Sequence, residues 1–109
     1  MDKSENWKKL YEDANQIDIK DYLSALGYFP KYPERNGKAL YESPIRDGDS
    51  DPSFVVYTAK NTWWDYGLGK GHTLIDLGIL LHNCRDSKEF IENYAVPILN
   101  KSNQVNERV

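Results

Sequence analysis

The sequence predicts an α+β domain: a small antiparallel β-sheet flanked by helices. Three observations predict it. Apolar residues recur at helical spacing near the start of the chain and again in its last third. The middle holds two segments rich in β-branched and aromatic residues, 53–58 (SFVVYT) and 62–66 (TWWDY). Ala59-Lys60-Asn61 separates these segments, and it suits a hairpin loop because asparagine tolerates the left-handed backbone region.

Each element follows from local chemistry. Residues 4–13 read as a helix, with Ser4 as a fair N-cap and Trp7, Leu10 and Tyr11 at i, i+3, i+4. A second helix is predicted over 19–26. Asp18 caps it, Ile19, Tyr22, Leu23 and Leu26 form one apolar stripe, and Gly27 suits the position after its end. Pro30, Pro33, Asn36 and Gly37 make 28–38 a loop, and 39–42 is a short strand candidate. Gly67, Gly69 and Gly71 mark a flexible turn. Thr73 and Asp76 form a capping box ahead of a helix carrying Leu74, Ile75, Leu77, Leu80 and Leu81, apolar on most sides and therefore central. Asp86 and Glu89 open a last helix with Phe90, Ile91 and Tyr94, which Pro97 should end. The expected organisation is an N-terminal helix in 1–16, a domain in 17–97 and a polar, flexible tail in 98–109.

Composition narrows the function. At 109 residues the chain is one domain with a modest core. Fourteen Lys and Arg against seventeen Asp and Glu give a net charge of −3, spread without polarised blocks, which excludes a binder working by bulk positive charge. The sequence offers no apolar run long enough for a membrane span and no visible signal peptide. A single cysteine, Cys84, excludes an internal disulfide, so a cytoplasmic location is the expectation. Aromatic residues make up 13% of the chain, including eight Tyr and three Trp. Such side chains enlarge a small core and also serve as platforms for stacked bases.

Motifs for catalysis are weak. No nucleophile–base arrangement is supported, and Cys84 reads as a half-buried small hydrophobe. Asp47, Asp49 and Asp51 have the spacing of a calcium loop, but Pro52 and Thr58 stand where it needs glycine and a bidentate glutamate, leaving a solvated turn. The glycines at 67, 69 and 71 precede a helix but match neither the dinucleotide nor the P-loop pattern.

One longer pattern stands out. Tyr41-Glu42-Ser43-Pro44-Ile45-Arg46-Asp47, followed by Asp51-Pro52-Ser53-Phe54-Val55-Val56, resembles the first half of the CHC2-type zinc-binding domain of bacterial DNA primases. In that family C-P-x-H is followed by P-S-F and an apolar strand. The stretch from Trp63-Trp64-Asp65-Tyr66-Gly67-Leu68 through Gly69-Lys70-Gly71-His72 to Thr73-Leu74-Ile75-Asp76-Leu77 resembles the second half, where a C-x-x-C hairpin end and glycines lead into a helix. The resemblance covers roughly 17–96.

The resemblance implies a zinc-ribbon-like sheet whose ligand positions fall on Ser43, Arg46, Asp65 and Leu68. Ser, Arg and Leu are not zinc ligands, and one Asp cannot hold the ion. A metal-free ribbon without cofactor is therefore expected. Structural zinc supplies about 10–16 kcal/mol in small domains. Aromatic burial at Tyr41, Phe54, Tyr57, Trp63, Trp64 and Tyr66, roughly 1.5–3 kcal/mol each, and an Arg46–Asp65 pair across the vacated position are the expected replacements.

The implied function is a non-catalytic accessory domain that contacts single-stranded template DNA in replication, for instance of a plasmid or mobile element. It would work beside a primase catalytic domain or other replication proteins, as a stand-alone module or as part of a longer primase-like protein. The alternative is a protein–protein adaptor that keeps the fold without DNA binding. Single-strand binding joins aromatic platforms to basic side chains. The candidates are Trp63 and Trp64 with Lys60 at the hairpin tip, Lys70 and His72 in the glycine segment, and Lys31, Arg35 and Lys38 in the loop. Strand alternation puts Trp63 and Asp65 on one face and Trp64 and Tyr66 on the other, so one tryptophan is core and its neighbour outward.

Overall fold

The structure, a computed structural model, describes residues 3–48 and 51–100. Two helices come first, α1 (Lys3–Asn15) and α2 (Ile19–Ala25). Four strands follow, β1 (Lys38–Tyr41), β2 (Phe54–Tyr57), β3 (Thr62–Asp65) and β4 (Lys70–His72). Helix α3 (Leu74–His82) and a final helix, α4, close the fold. Helix α4 opens as an α-helix over Ser87–Phe90, widens into a π-helical turn over Ile91–Ala95 and continues over 96–100. The α+β class holds.

The sheet is an antiparallel meander in the order β1-β2-β3-β4. Each strand pairs with its neighbour in sequence; four-residue connections join β2 to β3 and β3 to β4, and the longer segment 42–53 joins β1 to β2. Phe54 lies opposite both Tyr41 and Asp65, and Val56 opposite both Ala39 and Trp63. These residues form one face, buried in a core shared with α1, α2, α3 and α4, with α3 against β3 and β4. Trp63 is pinned there. Its ring stacks on Phe54 with centroids 5.3 Å apart, and its indole N–H donates to the Thr73 carbonyl at 2.7 Å. The donor of a buried tryptophan is thus satisfied by the residue that caps α3.

Caps form as expected at Asp18, Thr73 with Asp76, and Asp86. Asn61 takes a left-handed φ of 54° and does more than turn the hairpin. Its side chain accepts from the Ile19 amide at 2.9 Å and donates to the Ile17 carbonyl at 2.9 Å, tying the β2–β3 tip to the α1–α2 corner.

Several expectations need correction or refinement. The glycine segment contains strand β4, because Gly71 can pair closely against Trp64 where a larger residue could not. Helix α1 starts at Lys3, ahead of its expected cap Ser4. Pro97 does not end α4, and 98–100 are helical and not part of a flexible tail. The Val96 amide reaches back to Ile91, an i→i+5 bond, and this wide turn relieves the collision a proline ring makes with the preceding turn of an α-helix. Helix α3 is central as expected, packed against α1, α4, β3 and β4, and buried along Leu74, Ile75 and Leu77, but it leaves Leu80 exposed on one side. Residues 101–109 of the expected tail, and Asp49 of the acidic turn, lie outside the described residues.

Candidate nucleic-acid interface

Two side-chain groups stand out, one buried at the sheet's end and one on its outer face. The buried group centres on Asp65, which has no exposed surface at the end of β3. Its carboxylate accepts from the Ser43 hydroxyl at 2.6 Å, from Arg46 Nε at 3.1 Å and Nη2 at 3.0 Å, and from the backbone amides of Gly67 at 2.8 Å and Leu68 at 3.1 Å. Arg46 also donates to the Ser53 hydroxyl. Burial works against ionisation of Asp65, but the hydrogen bonds from Ser43, Arg46 and the Leu68 amide outweigh it and hold the carboxyl below the usual range.

Gly67 lies directly against the Arg46 guanidinium. A Cβ there would lie 2.3 Å from the guanidinium carbon, so a side chain at 67 would displace the guanidinium from its place over the turn. Ser43, Arg46 and Asp65 meet through side chains, whereas Leu68 contributes its amide and leaves its side chain exposed. The four positions do not fit a zinc ion. A fixed guanidinium charge occupies the cluster, and Asp65 is its one metal-ligating side chain. Among the described residues no group of three or more His, Cys, Asp or Glu is placed to hold a metal.

The outer face carries Trp64. It lies opposite Val55 and Gly71, while Tyr57 lies opposite Lys38 and Thr62. A Cβ at Gly71 would fall 2.7 Å from Trp64 Cε3, so the indole rests on the bare backbone of β4. Trp64 keeps 37% of its surface exposed and Tyr66 63%. Their rings meet edge to face at 6.5 Å, and the Tyr57 and Tyr66 hydroxyls lie 3.3 Å apart. These residues border a groove of ≈ 330 Å³ running to Gly71 and His72.

Of the sequence-derived candidates, Trp63 is corrected: it is 2% exposed, packed and hydrogen-bonded, and presents nothing to a ligand. Trp64 and Tyr66, expected to help fill the core, face outward instead. They alternate with Trp63 and Asp65, which hold the inner face. Lys38 and Lys60 border a second groove with Tyr57 and Thr62, joining the aromatic face at its hairpin end. Lys70 and His72 sit on β4 with the parity of Asp65 and Trp63, so they flank Trp64 at the sheet edge and do not share its face. His72 approaches Asp76 at 3.6 Å. Lys31 and Arg35 lie beyond the β1 edge, Lys31 within 3.7 Å of Glu42. Sequence reasoning missed Ser53 and the Gly67 amide in the buried cluster. Their only signal was position, beside a strand start and inside the glycine turn.

Comparison with protein-family models, curated proteins and solved structures finds no match for this chain. Among the described residues, no helix is long and apolar enough to cross a membrane.

Proposed function

We propose that the chain is a non-catalytic accessory domain of a primase-like replication protein that binds single-stranded DNA across the outer face of its sheet. The observation that carries this reading is the platform at Trp64. An indole backed by Gly71 is held in place before any base arrives, with Tyr66 and Tyr57 beside it and Lys38 and Lys60 at one end. Base stacking on such a ring contributes about 1–3 kcal/mol per base, and it requires unpaired bases. The lysines supply the phosphate contacts, local positive charge on a chain of net charge −3.

Support for the primase-like reading comes from the cluster at Asp65. Ser43, Arg46, Asp65 and the Leu68 amide, distant in sequence, meet at one point as a ligand set would. In this reading an ion pair stands where relatives keep zinc, no cofactor is needed, and nucleotide joining belongs to a separate catalytic domain. A reducing, cytoplasmic setting suits the lone thiol of Cys84.

Titration of fluorescently labelled single-stranded DNA at about 50 and about 200 mM salt tests the proposal. The expected result is salt-sensitive binding, weakened about tenfold by Trp64→Ala. Lys38→Ala with Lys60→Ala should reduce the salt slope by about 0.7 for each phosphate no longer neutralised. Absence of binding at the lower salt would overturn the reading and favour the protein–protein adaptor. Stoichiometric zinc in the purified protein would overturn its metal-free part.

A further inference from the structure

A second aromatic surface lies outside the sheet. After α2 the chain passes through Tyr28, Phe29 and Tyr32, with exposures of 38%, 66% and 52%. The Lys31 amide donates to the Leu40 carbonyl at 2.8 Å, which lays this segment along the free edge of β1. Asn36 and Gly37, both with positive φ, then turn the chain back so that Arg35 bridges to Lys38 at the start of β1. The aromatic segment is therefore a direct neighbour of the sheet and meets the proposed interface at Lys38.

Its charge pattern selects the occupant. Lys31, which pairs with Glu42 at 3.7 Å, lies between Phe29 and Tyr32, and Arg35 and Lys38 follow the rings. The one acid in the segment, Glu34, is held by Lys20 at 2.5 Å and accepts from Thr58. Arg35 and Lys38 have no ionic partner among the described residues. Exposed rings followed directly by Arg35 and Lys38 match a polyanion with aromatic faces. From β3 to this segment is three strand spacings, about 15 Å, within reach of a few extended nucleotides.

We infer that Phe29 and Tyr32, with Arg35 and Lys38, form a second stacking platform that receives single-stranded DNA leaving Trp64 across the β1 edge. This rests on the DNA-binding reading above. The platform lengthens the site: a short strand occupies the outer face alone, and a longer one engages both surfaces.

The test compares oligothymidylates of about five and about twenty nucleotides on the full chain, wild type and Phe29→Ala/Tyr32→Ala. Circular dichroism confirms that the variant, altered at exposed positions, remains folded. The expected result is a roughly tenfold loss of affinity for the longer strand and less than about twofold for the shorter, with Arg35→Ala reducing the salt slope for the longer strand only. Equal affinity of variant and wild type for the longer strand overturns this inference and leaves the Trp64 site intact. A wild type that binds neither strand overturns the reading beneath it. Unchanged DNA affinity together with self-association abolished in the variant, read by analytical ultracentrifugation, overturns the inference in favour of an interface between two copies of the chain.

Discussion

Asp65 illustrates how a carboxylate without water contact is kept charged. Five donor groups converge on two oxygens, so its acceptor capacity is filled and Arg46 neutralises it. Removing one member of a buried pair leaves the other uncompensated and costs about 3–5 kcal/mol. Arg46 keeps a quarter of its side chain in water, so Asp65→Asn should cost near the low end, about 3 kcal/mol by urea denaturation. Because folding depresses the Asp65 pKa below its ordinary 3.8, the stabilisation is complete above that value and is lost as pH falls toward the folded-state pKa. The denaturation midpoint should therefore drop below about pH 4 in wild type and drop less steeply in Asp65→Asn. An equal acid slope in both would remove Asp65 from the account. Tyr41 presents the opposite case. Its hydroxyl is buried with no hydrogen-bond partner among the described residues, and burial pushes its pKa up to about 12. Tyr41→Phe removes an unsatisfied group while keeping the ring against Phe54, and should raise stability by about 1 kcal/mol, measured by thermal melting.

At the scale of elements, α2, α3 and α4 are joined through His82. The imidazole at the end of α3 stacks on Tyr94 with centroids 3.8 Å apart, lies near-parallel to Phe90 at 6.1 Å, and shares a 2.5 Å hydrogen bond with the Tyr22 hydroxyl. Burial lowers its pKa from the ordinary 6.5. A helix C-terminus favours the charged ring, yet desolvation by three aromatic neighbours prevails. The neutral ring belongs to the fold, so its contribution is fully present above about pH 6.5 and falls away as acid protonates the unfolded state first. Urea midpoints should decline between about pH 7.5 and about pH 5.5, and His82→Phe, which keeps the stack without a titrating group, should flatten that decline. A decline unchanged in the variant would locate the effect elsewhere.

The whole molecule is a sheet with one committed and one open face. Phe54 and Trp63 on the inner face share one apolar core with buried residues of all four helices, leaving the side of Trp64 to shallow grooves. The same geometry brings positions 43, 46, 65 and 68 together, which permits a direct test of the proposed kinship. Ser43→Cys, Arg46→His, Asp65→Cys and Leu68→Cys, combined, would place four zinc ligands with C-P-x-H and C-x-x-C spacing. The expected outcome is one zinc per chain with the cobalt-substituted protein showing tetrahedral absorption. A folded quadruple variant that takes up no more zinc than wild type would show that these positions are not a ligand set, and the primase-like reading would lose its main support.

The chain order of elements, three of the helix caps, the β2–β3 hairpin and the partition of Trp63 from Trp64 were readable in the sequence, because each follows from spacing of 3.6 or 2 or from a capping side chain within three residues. The Arg46–Asp65 pair was legible only through a resemblance that named the positions. The tertiary structure alone decided which tryptophan faces out, because alternation defines two faces but only the packing of the helices chooses between them. It also decided that β4 forms on glycine, that a π-helical turn carries α4 past Pro97, and that the 28–38 segment lies against β1. Each of these depends on residues whose local preferences point elsewhere, and their meeting exists only once the chain has closed on itself.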